Sequence, residues 1–265
     1  MNRAAISHLT GEKEEQLLLS RVLDKQALCQ TRNIPTYTPF LSPRMQHLAR
    51  LLLGSSSDFC FFGGIEDTER QMLFFLPDYE TGITDPTDPN CPICALETDI
   101  APQTPITHRD MLGALMGMGI SRERLGDILM TDHHCTLLLQ TELRSFLMEQ
   151  MGKAGRAKLH WRPIPLQAVV PPERKEQNIT GTVSSLRLDA VCALGFSISR
   201  TRAAEQIAAG AVSLNYQPCC KPERTIAPGD VISLRKAGKL RVTEAGGQSR
   251  KGRTFLTLSR YQSQT

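Results

Sequence analysis

The chain has 265 residues, 40% of them hydrophobic, and a formal net charge of +4. This length exceeds that of one average domain, so two or three small domains are expected. The chain holds no uncharged apolar run of about 18 residues and no apolar signal segment near its start. Without such a segment, its eight cysteines are expected to be reduced thiols rather than disulfides. We therefore expect a cytoplasmic protein without a membrane partner.

Basic charge is concentrated in the last third of the chain. From Arg187 to the end there are 13 Lys and Arg against 5 Asp and Glu, whereas residues 1–186 hold 18 basic and 22 acidic residues. The net charges of the two parts are therefore +8 and −4. Such an imbalance indicates that the C-terminal third binds a polyanion.

Residues 1–79 predict an acidic, mainly helical α+β unit. Apolar residues recur at helical spacing over residues 14–30. A second helix is indicated by Ser42 as N-cap, Pro43 at the first helical position and Gly54 just past the end. Two short strands around a turn are expected at residues 58–64 and 70–78.

Residues 80–170 predict a central domain that follows a polar, proline-containing linker. The expected element order is β-α-β-β-α-β, which is that of a ferredoxin-like (RRM-like) split βαβ sheet. The elements are expected at residues 93–100, 108–119, 126–132, 133–140, 141–152 and 157–166. The aromatic-rich strand motif of an RNA recognition motif is absent, so the element order alone does not establish RNA binding.

A second linker is expected at residues 169–181, and the C-terminal domain is expected over residues 181–265. Its first helix is expected over residues 185–195 and is closed by Gly195; its second runs from a Ser199 cap to Gly210. Short strands follow, with turns expected at residues 215–216, 228–229 and 237–238. The fold class is therefore α+β, with two helices and a small twisted sheet at the C-terminus.

Arg200 and Arg202 occupy the first turn of the helix that Ser199 caps. Cations there oppose the helix macrodipole by about 0.3–1 kcal/mol each, so stability does not explain them. A bound anion would reverse the sign, because free backbone N–H groups and both guanidinium groups would converge on it. We expect Arg187 to join this face, with Asp189 able to cap or orient it.

The C-terminal residues resemble the RNA-binding domain of small-subunit ribosomal protein S-four, which forms an αL motif. The matching positions are Arg187 to Asp189, Ser199, Arg200, Ala203, Ile207, Gly210 to Asn215 and Pro228 to Asp230. Segments at residues 40–44, 61–79, 107–129 and 181–191 also resemble the YlmH family of bacterial RNA-binding proteins. The resemblance covers most of the chain. The resemblance implies a central RNA-binding domain and association with the ribosome, with a role on large subunits that carry stalled peptidyl-tRNA. It also implies a looser link to cell division.

We therefore expect a non-catalytic, monomeric protein that docks on rRNA or tRNA of the ribosome. It is expected to have no catalytic residues, cofactor, metal or small-molecule substrate. Cationic side chains would contact phosphates and the helix start would donate backbone N–H groups, so specificity would come from RNA shape. The candidate RNA-binding residues are Arg187, Ser199, Arg200, Thr201, Arg202, Gln206, Asn215, Lys221 and Arg224.

Three other functions are considered. A pseudouridine synthase carries its aspartate in an Arg-Leu-Asp motif, but here that triplet lies within the binding helix and occurs once. Cys91 and Cys94 have the spacing of half a zinc site; the other half would be Cys219 with Cys220, or His133 with His134, and adjacent residues seldom both bind one ion. A protein-interaction module of the division machinery is the third alternative, through the acidic N-terminal unit.

The central domain contains further polar clusters whose roles the sequence leaves open. The run from His108 to Asp110 suits a helix cap at Thr107 better than an acid–base pair. Arg122 and Arg124 belong to a solvated turn or contact phosphate. The end of the domain is basic and favours a continuous RNA surface; its cations are Lys153, Arg156, Lys158 and Arg162.

Overall fold

The chain divides into two units, Met1–Pro172 and Glu173–Thr265. A computed structural model describes residues 4–54, 58–80, 82–172 and 176–261. The predicted boundary at residue 79 falls inside the first unit. There Phe40 and Phe74 of the N-terminal part share one buried cluster with Ile93 and Leu138 of the central sheet, so the two predicted domains pack as one body.

The N-terminal part of the first unit packs helices on a three-stranded sheet of order β1-β3-β2. Ser42 caps α3, since its Oγ accepts a hydrogen bond from the backbone N–H of Met45 at 3.3 Å; Pro43 begins that helix and Gly54 follows it, as predicted. The elements are α1 (Ala4–Leu9), α2 (Lys13–Arg32), β1 (Thr36–Tyr37), α3 (Pro43–Leu53), β2 (Phe59–Phe62) and β3 (Met72–Phe75).

The central part of the first unit contains a four-stranded sheet of order β5-β6-β4-β9 in which all neighbours are antiparallel. This is the strand order of a split βαβ sheet. Its elements are β4 (Ile93–Asp99), α4 (His108–Gly117), β5 (Leu125–Met130), β6 (His134–Gln140), α5 (Arg144–Gln150), β7 (Lys153–Ala154), β8 (Ala157–Lys158) and β9 (Arg162–Ile164). The predicted last strand is thus divided, because β8 pairs with β7 in a hairpin and only β9 joins the sheet.

Arg70 joins the N-terminal part to the central sheet. Its guanidinium donates to the carbonyl oxygens of Leu125 (2.9 Å), Phe40 (2.9 Å) and Arg122 (3.1 Å). The Asp127 carboxylate accepts from the backbone N–H groups of Glu69 and Arg70 at 2.7 and 2.9 Å. The side chains of Arg70 and Asp127 thereby satisfy backbone groups in or beside both sheets. These hydrogen bonds fix the N-terminal part against the central part of the first unit.

The second unit covers one face of a six-stranded antiparallel sheet with two short helices. The sheet order is β10-β15-β14-β13-β11-β12. Its elements are β10 (Glu176–Val183), α6 (Leu188–Gly195), α7 (Arg200–Ala208), β11 (Val212–Leu214), β12 (Gln217–Pro218), β13 (Val231–Leu234), β14 (Gly238–Gln248) and β15 (Thr254–Tyr261).

Two sequence expectations for this unit are corrected. The predicted linker at residues 169–181 contains most of β10, a largely polar edge strand that pairs with β15 along its whole length. The first helix, α6, begins at Leu188 rather than at residue 185, and it ends at Gly195 as predicted. A Cβ at Gly195 would overlap the side chain of Leu240, so glycine is needed there for the close approach of helix and sheet.

Candidate nucleic-acid interface

Asp189 organises the start of both helices in the second unit. Its side chain is 7% exposed and accepts four hydrogen bonds of 3.1–3.3 Å, two from the guanidinium of Arg187 and two from that of Arg200. The backbone N–H of Ala190 donates a fifth at 2.8 Å. Burial raises the pKa of the Asp189 carboxyl, but the hydrogen bonds from the two arginines outweigh it and hold the pKa below its ordinary value.

The two arginines keep part of their surface in solvent. Their side chains are 41% exposed for Arg187 and 49% for Arg200. Asp189 therefore fixes each guanidinium by one edge while the remaining surface stays available to a ligand. This changes the sequence interpretation, because Arg200 has an internal anion and does not need an external one to offset the helix dipole. The predicted pairing of Arg187 with Asp189 is confirmed.

A turn over residues 221–224 closes on the start of α6. The carbonyl oxygens of Arg224 and Pro222 accept from the backbone N–H groups of Leu188 (2.8 Å) and Asp189 (3.0 Å). These bonds satisfy two donors at the helix start and bring the exposed side chains of Lys221 and Arg224 to it. The turn thus adds two cations to the group around Asp189.

The start of α7 keeps open donors. Ser199 is the N-cap, and its Oγ accepts from the backbone N–H of Arg202 at 3.2 Å. Within the residues that the structure describes, the backbone N–H groups of Arg200 and Thr201 have no acceptor, and the exposed side chain of Arg202 has no partner. Two free N–H groups flanked by guanidiniums form a site that suits a phosphate.

Five cations therefore surround the two helix starts, while the nearby acids are the buried Asp189 and the exposed Glu223. A group that has more cations than acidic residues, and whose cations reach solvent, is suited to bind a polyanion. We call this group the Asp189 cluster; its cations are Arg187, Arg200, Arg202, Lys221 and Arg224.

Two predicted site residues lie outside the Asp189 cluster. Asn215 sits in the turn between β11 and β12 with φ 48°. Its amide donates to Asp230 at 2.8 Å and accepts from the backbone N–H of Val231 at 2.9 Å, so both ends of the amide hold the turn. Gln206 lies in the middle of α7 and is half-buried. Neither residue is brought to the helix starts.

The arginines of the central domain have internal partners. Arg122 donates to the carbonyl oxygens of Leu125 and Gly126 at 3.0 and 2.9 Å, and burial lowers its pKa. It is thus a structural residue of the joint rather than part of a solvated turn or a phosphate contact. Arg124 pairs with Glu142, and Arg162 pairs with Glu97 and Asp99. Lys153, Arg156 and Lys158 are exposed on the β7–β8 hairpin.

The expected helix cap of α4 is confirmed as a capping box. Thr107 Oγ1 accepts from the backbone N–H of Asp110 at 3.2 Å, and Asp110 Oδ2 accepts from the backbone N–H of Thr107 at 2.9 Å. This reciprocal arrangement accounts for Asp110 as a structural residue.

The cysteines considered for zinc are dispersed. Cys91 and Cys94 lie at the start of β4, and burial raises the pKa of Cys94 to about 11. His134 pairs with Asp99 at the other end of β4, while Cys219 and Cys220 belong to the second unit. Within the described ranges, no three His, Cys, Asp or Glu side chains lie close enough to hold a metal ion.

The Asp189–Arg200 pair is the feature that sequence reasoning missed. The two residues lie eleven positions apart on different helices, a spacing that no helical or strand periodicity marks. The one available signal was an aspartate inside the otherwise apolar helix LDAVCALG. A buried carboxylate requires charged or hydrogen-bonding partners, and the nearby arginines were the candidates.

Two family models match separate parts of the chain. Residues 102–168 match the model described as "Putative RNA-binding domain in YlmH". Residues 186–232 match the S4 domain, and that range contains the whole Asp189 cluster. Among the described residues, no helix is both long and apolar enough to span a bilayer.

One curated relative and one solved structure are similar over long stretches. The ribosome-associated protein quality control protein P2 of Bacillus subtilis is 29% identical over 250 residues, which is 94% of this chain and 96% of the relative. The cell division protein ylmH from Streptococcus pneumoniae aligns with 60% of this chain and 95% of its own, with a TM-score of 0.50 and 17% identity. The second likeness concerns the fold alone.

Proposed function

We propose that the chain, which matches the YlmH and S4 family models over parts of its length and is similar to the Bacillus subtilis relative over most of it, is a member of the YlmH family and a non-catalytic RNA-binding protein that docks on structured RNA of the ribosome. The observation that carries this proposal is the Asp189 cluster, in which solvent-exposed cations surround two open backbone N–H groups inside the S4 match. Phosphates of folded RNA fit this arrangement. The cluster holds no aromatic side chain that would read bases, so RNA shape determines its specificity.

The finer proposal is that the target is rRNA or tRNA on a large subunit that carries stalled peptidyl-tRNA. The Bacillus subtilis relative is named a ribosome-associated protein quality control protein, and this name supports the assignment. The protein would then act in the cytoplasm as a monomer, without a cofactor or a small-molecule substrate. Sedimentation with ribosomal fractions, followed by crosslink mapping of the bound RNA, tests the target; recovery apart from ribosomal particles would contradict it.

A catalytic role for Asp189 finds no support in its surroundings. In a pseudouridine synthase the aspartate of the Arg-Leu-Asp motif must reach the substrate base. Here both carboxylate oxygens accept hydrogen bonds from guanidinium groups, and the side chain is 7% exposed. We therefore assign the triplet to positioning Arg187 and Arg200 rather than to nucleophilic attack.

Arg202 provides the sharpest test of RNA binding, because its side chain has no described partner and its removal breaks no internal contact. We expect Arg202→Ala to weaken binding to a structured rRNA fragment and to lower the slope of log K against log salt by about one unit. The double variant with Arg200→Ala should lower the slope by about two units. Fluorescence anisotropy over a salt series measures both.

The matched control removes two exposed cations at the ends of α2, Lys13→Ala with Arg32→Ala. It changes the net charge of the protein by as much as the double variant does, but at a site in the other unit. If the control lowered affinity and salt slope as much as the Arg200 and Arg202 variant, binding would depend on overall charge and the Asp189 cluster would not be the RNA site.

A further inference from the structure

The β14–β15 hairpin extends beyond residues 186–232, the range that matches the S4 domain. The segment from Ala245 to the end of the chain contains four Lys and Arg and no Asp or Glu. Three of these cations, Arg250, Lys251 and Arg253, lie at or beside the hairpin tip and are exposed. The tip is therefore a second basic surface of the second unit.

Ser249 holds the tip in one shape. Its backbone N–H donates to the carbonyl oxygen of Arg253 at 2.8 Å, its carbonyl oxygen accepts from Gly252 at 2.9 Å, and its hydroxyl accepts from the backbone N–H of Arg253 at 3.1 Å. The Arg253 guanidinium then bonds Thr182 of β10. Arg250 and Lys251 have no partner among the described residues, so they stand free on an ordered turn.

An aromatic ring lies open beside these cations. Phe255 is 51% exposed, and its neighbour Leu256 is buried in the core, so the ring lies on the outer face of the sheet. Its cross-strand partner on β14 is Gly246, which has no side chain to cover it, and a Cβ placed on Gly247 would lie 3.7 Å from the ring. A single exposed Phe is ordinary; an exposed ring whose partner on β14 is a glycine, next to free cations, offers a stacking surface.

The tip lies at the same end of the sheet as the Asp189 cluster. Thr254, where β15 begins, is paired with Val183, where β10 ends. Arg187 follows Val183 by four residues, so the two Cα atoms are at most about 14 Å apart. One RNA could therefore contact both basic groups.

We propose that the hairpin tip is a second RNA-contact site that accepts a single-stranded segment adjoining the structured RNA bound at the Asp189 cluster. One unpaired base stacks on the Phe255 ring, and its flanking phosphates lie against Arg250 and Lys251. Stacking on an aromatic side chain is independent of base identity, so this site binds unpaired nucleotides of any sequence. The inference rests on the proposed function, since it names the form of RNA that the protein prefers.

The test compares a blunt RNA duplex with the same duplex that carries a single-stranded extension. We expect the wild-type protein to bind the extended RNA more tightly by about fivefold or more. Phe255→Leu should remove this preference and leave the affinity for the blunt duplex unchanged. Phe146→Leu, which replaces a 43% exposed phenylalanine on α5, is the matched control and should keep the preference.

The charge component is tested separately. Arg250→Gln with Lys251→Gln should lower the salt slope for the extended RNA by about 1.5 units, because a single strand releases fewer counterions per contact than a duplex. The slope for the blunt duplex should stay the same. A loss of slope on both RNAs would show that the tip contacts duplex phosphates, and the proposed single-stranded site would be overturned.

The remaining outcomes separate this inference from the proposed function. Equal binding of both RNAs by the wild-type protein, still weakened by Arg202→Ala, would overturn the hairpin site and retain RNA binding at the Asp189 cluster. Absence of binding to either RNA and to ribosomal fractions would overturn both. Binding to phosphatidylglycerol vesicles is measured as the last comparison. If the protein showed no preference for the extended RNA but bound vesicles, and Phe255→Leu removed the vesicle binding, the tip would be assigned to a lipid surface instead.

Discussion

Arginine and aspartate come together in both units, but the arrangement differs. In the first unit, the guanidiniums of Arg70 and Arg122 donate to backbone carbonyl oxygens, and Asp127 accepts from backbone N–H groups. In the second unit, the guanidiniums of Arg187 and Arg200 donate to the carboxylate of Asp189. The first arrangement holds partly buried arginines inside the joint, whereas the second fixes each arginine by one edge and leaves it reachable from solvent.

The two arrangements also differ in which charged group is buried. Burial lowers the pKa of Arg70 to about 10, with the charge of Arg122 acting in the same direction. In the Asp189 cluster it is the carboxylate that is buried and the cations that reach solvent. An arginine directed at carbonyl oxygens inside the fold therefore serves stability, and an arginine held at one edge by a buried acid is available to a phosphate.

The largest effect is expected when the joint of the first unit is broken. Arg70→Met removes the donors to the carbonyl oxygens of Phe40, Leu125 and Arg122. The variant loses three hydrogen bonds and leaves the carbonyl oxygen of Phe40 without this donor, so the free energy of unfolding should fall by about 2–4 kcal/mol. The carbonyl oxygens of Leu125 and Arg122 keep hydrogen bonds from the Arg122 guanidinium and the Leu125 backbone N–H. Urea unfolding followed by circular dichroism measures the loss.

The control for this variant is Arg50→Met, which removes an arginine whose guanidinium lies 4.0 Å from the centre of the Phe61 ring. Losing a cation–π contact at an exposed site costs about 0.5–1 kcal/mol. RNA affinity, measured per folded molecule, should be unchanged in both variants. Equal losses of stability in the two would show that the carbonyl contacts of Arg70 contribute little.

The Asp189 cluster should respond less in stability and more in binding. Asp189→Asn leaves Arg187 and Arg200 without their counter-charge, and the free energy of unfolding should fall by about 1–2 kcal/mol, a value reduced because both guanidiniums remain partly in water. RNA binding should weaken severalfold, since the guanidiniums lose their fixed position. An unchanged affinity would mean that Asp189 does not position the arginines for RNA.

The pH dependence of the same pair of proteins gives an independent readout. Because the folded state lowers the pKa of Asp189, its stabilising contribution is complete above the ordinary pKa of about 4 and is lost as the pH falls through the lowered folded value. The stability difference between the wild type and Asp189→Asn should therefore be constant near neutral pH and shrink below about pH 4. A constant difference down to about pH 2 would contradict the lowered pKa.

The sequence was sufficient for features whose causes are local. The Ser42 cap, the Thr107 and Asp110 capping box and the element order of the central sheet follow from short-range signals. The Ser199 cap and the cation pair after it were located in the same way. Local signals therefore predict the position of the candidate site, although they do not predict its geometry.

Features that depend on distant partners could not be predicted. The polar strand β10 was interpreted as a linker, because its strand character comes from pairing with β15, more than seventy residues later. The same holds for Arg70, whose carbonyl partners at Phe40, Arg122 and Leu125 lie 30 to 55 residues away and are set by how two sheets meet. The sequence predicts Asn215 as an RNA contact within the segment that resembles the S-four domain, and the structure shows that both ends of its amide hold its own turn.

The smallest effect is expected at Arg124, which tests whether exposure of the carboxylate matters. Like Arg200, Arg124 is partly exposed and pairs with an acid, but Glu142 is itself 78% exposed. A surface pair of this kind contributes at most about 0.5 kcal/mol, so Arg124→Gln should leave urea unfolding nearly unchanged. It should also leave RNA affinity unchanged, because Glu142 neutralises the guanidinium in solvent and Gln140 accepts from its Nε. If Arg124→Gln lowered the salt slope as Arg202→Ala does, the central domain would contact phosphate too. Pairing with a buried acid would then not distinguish the arginines that bind RNA from those that do not.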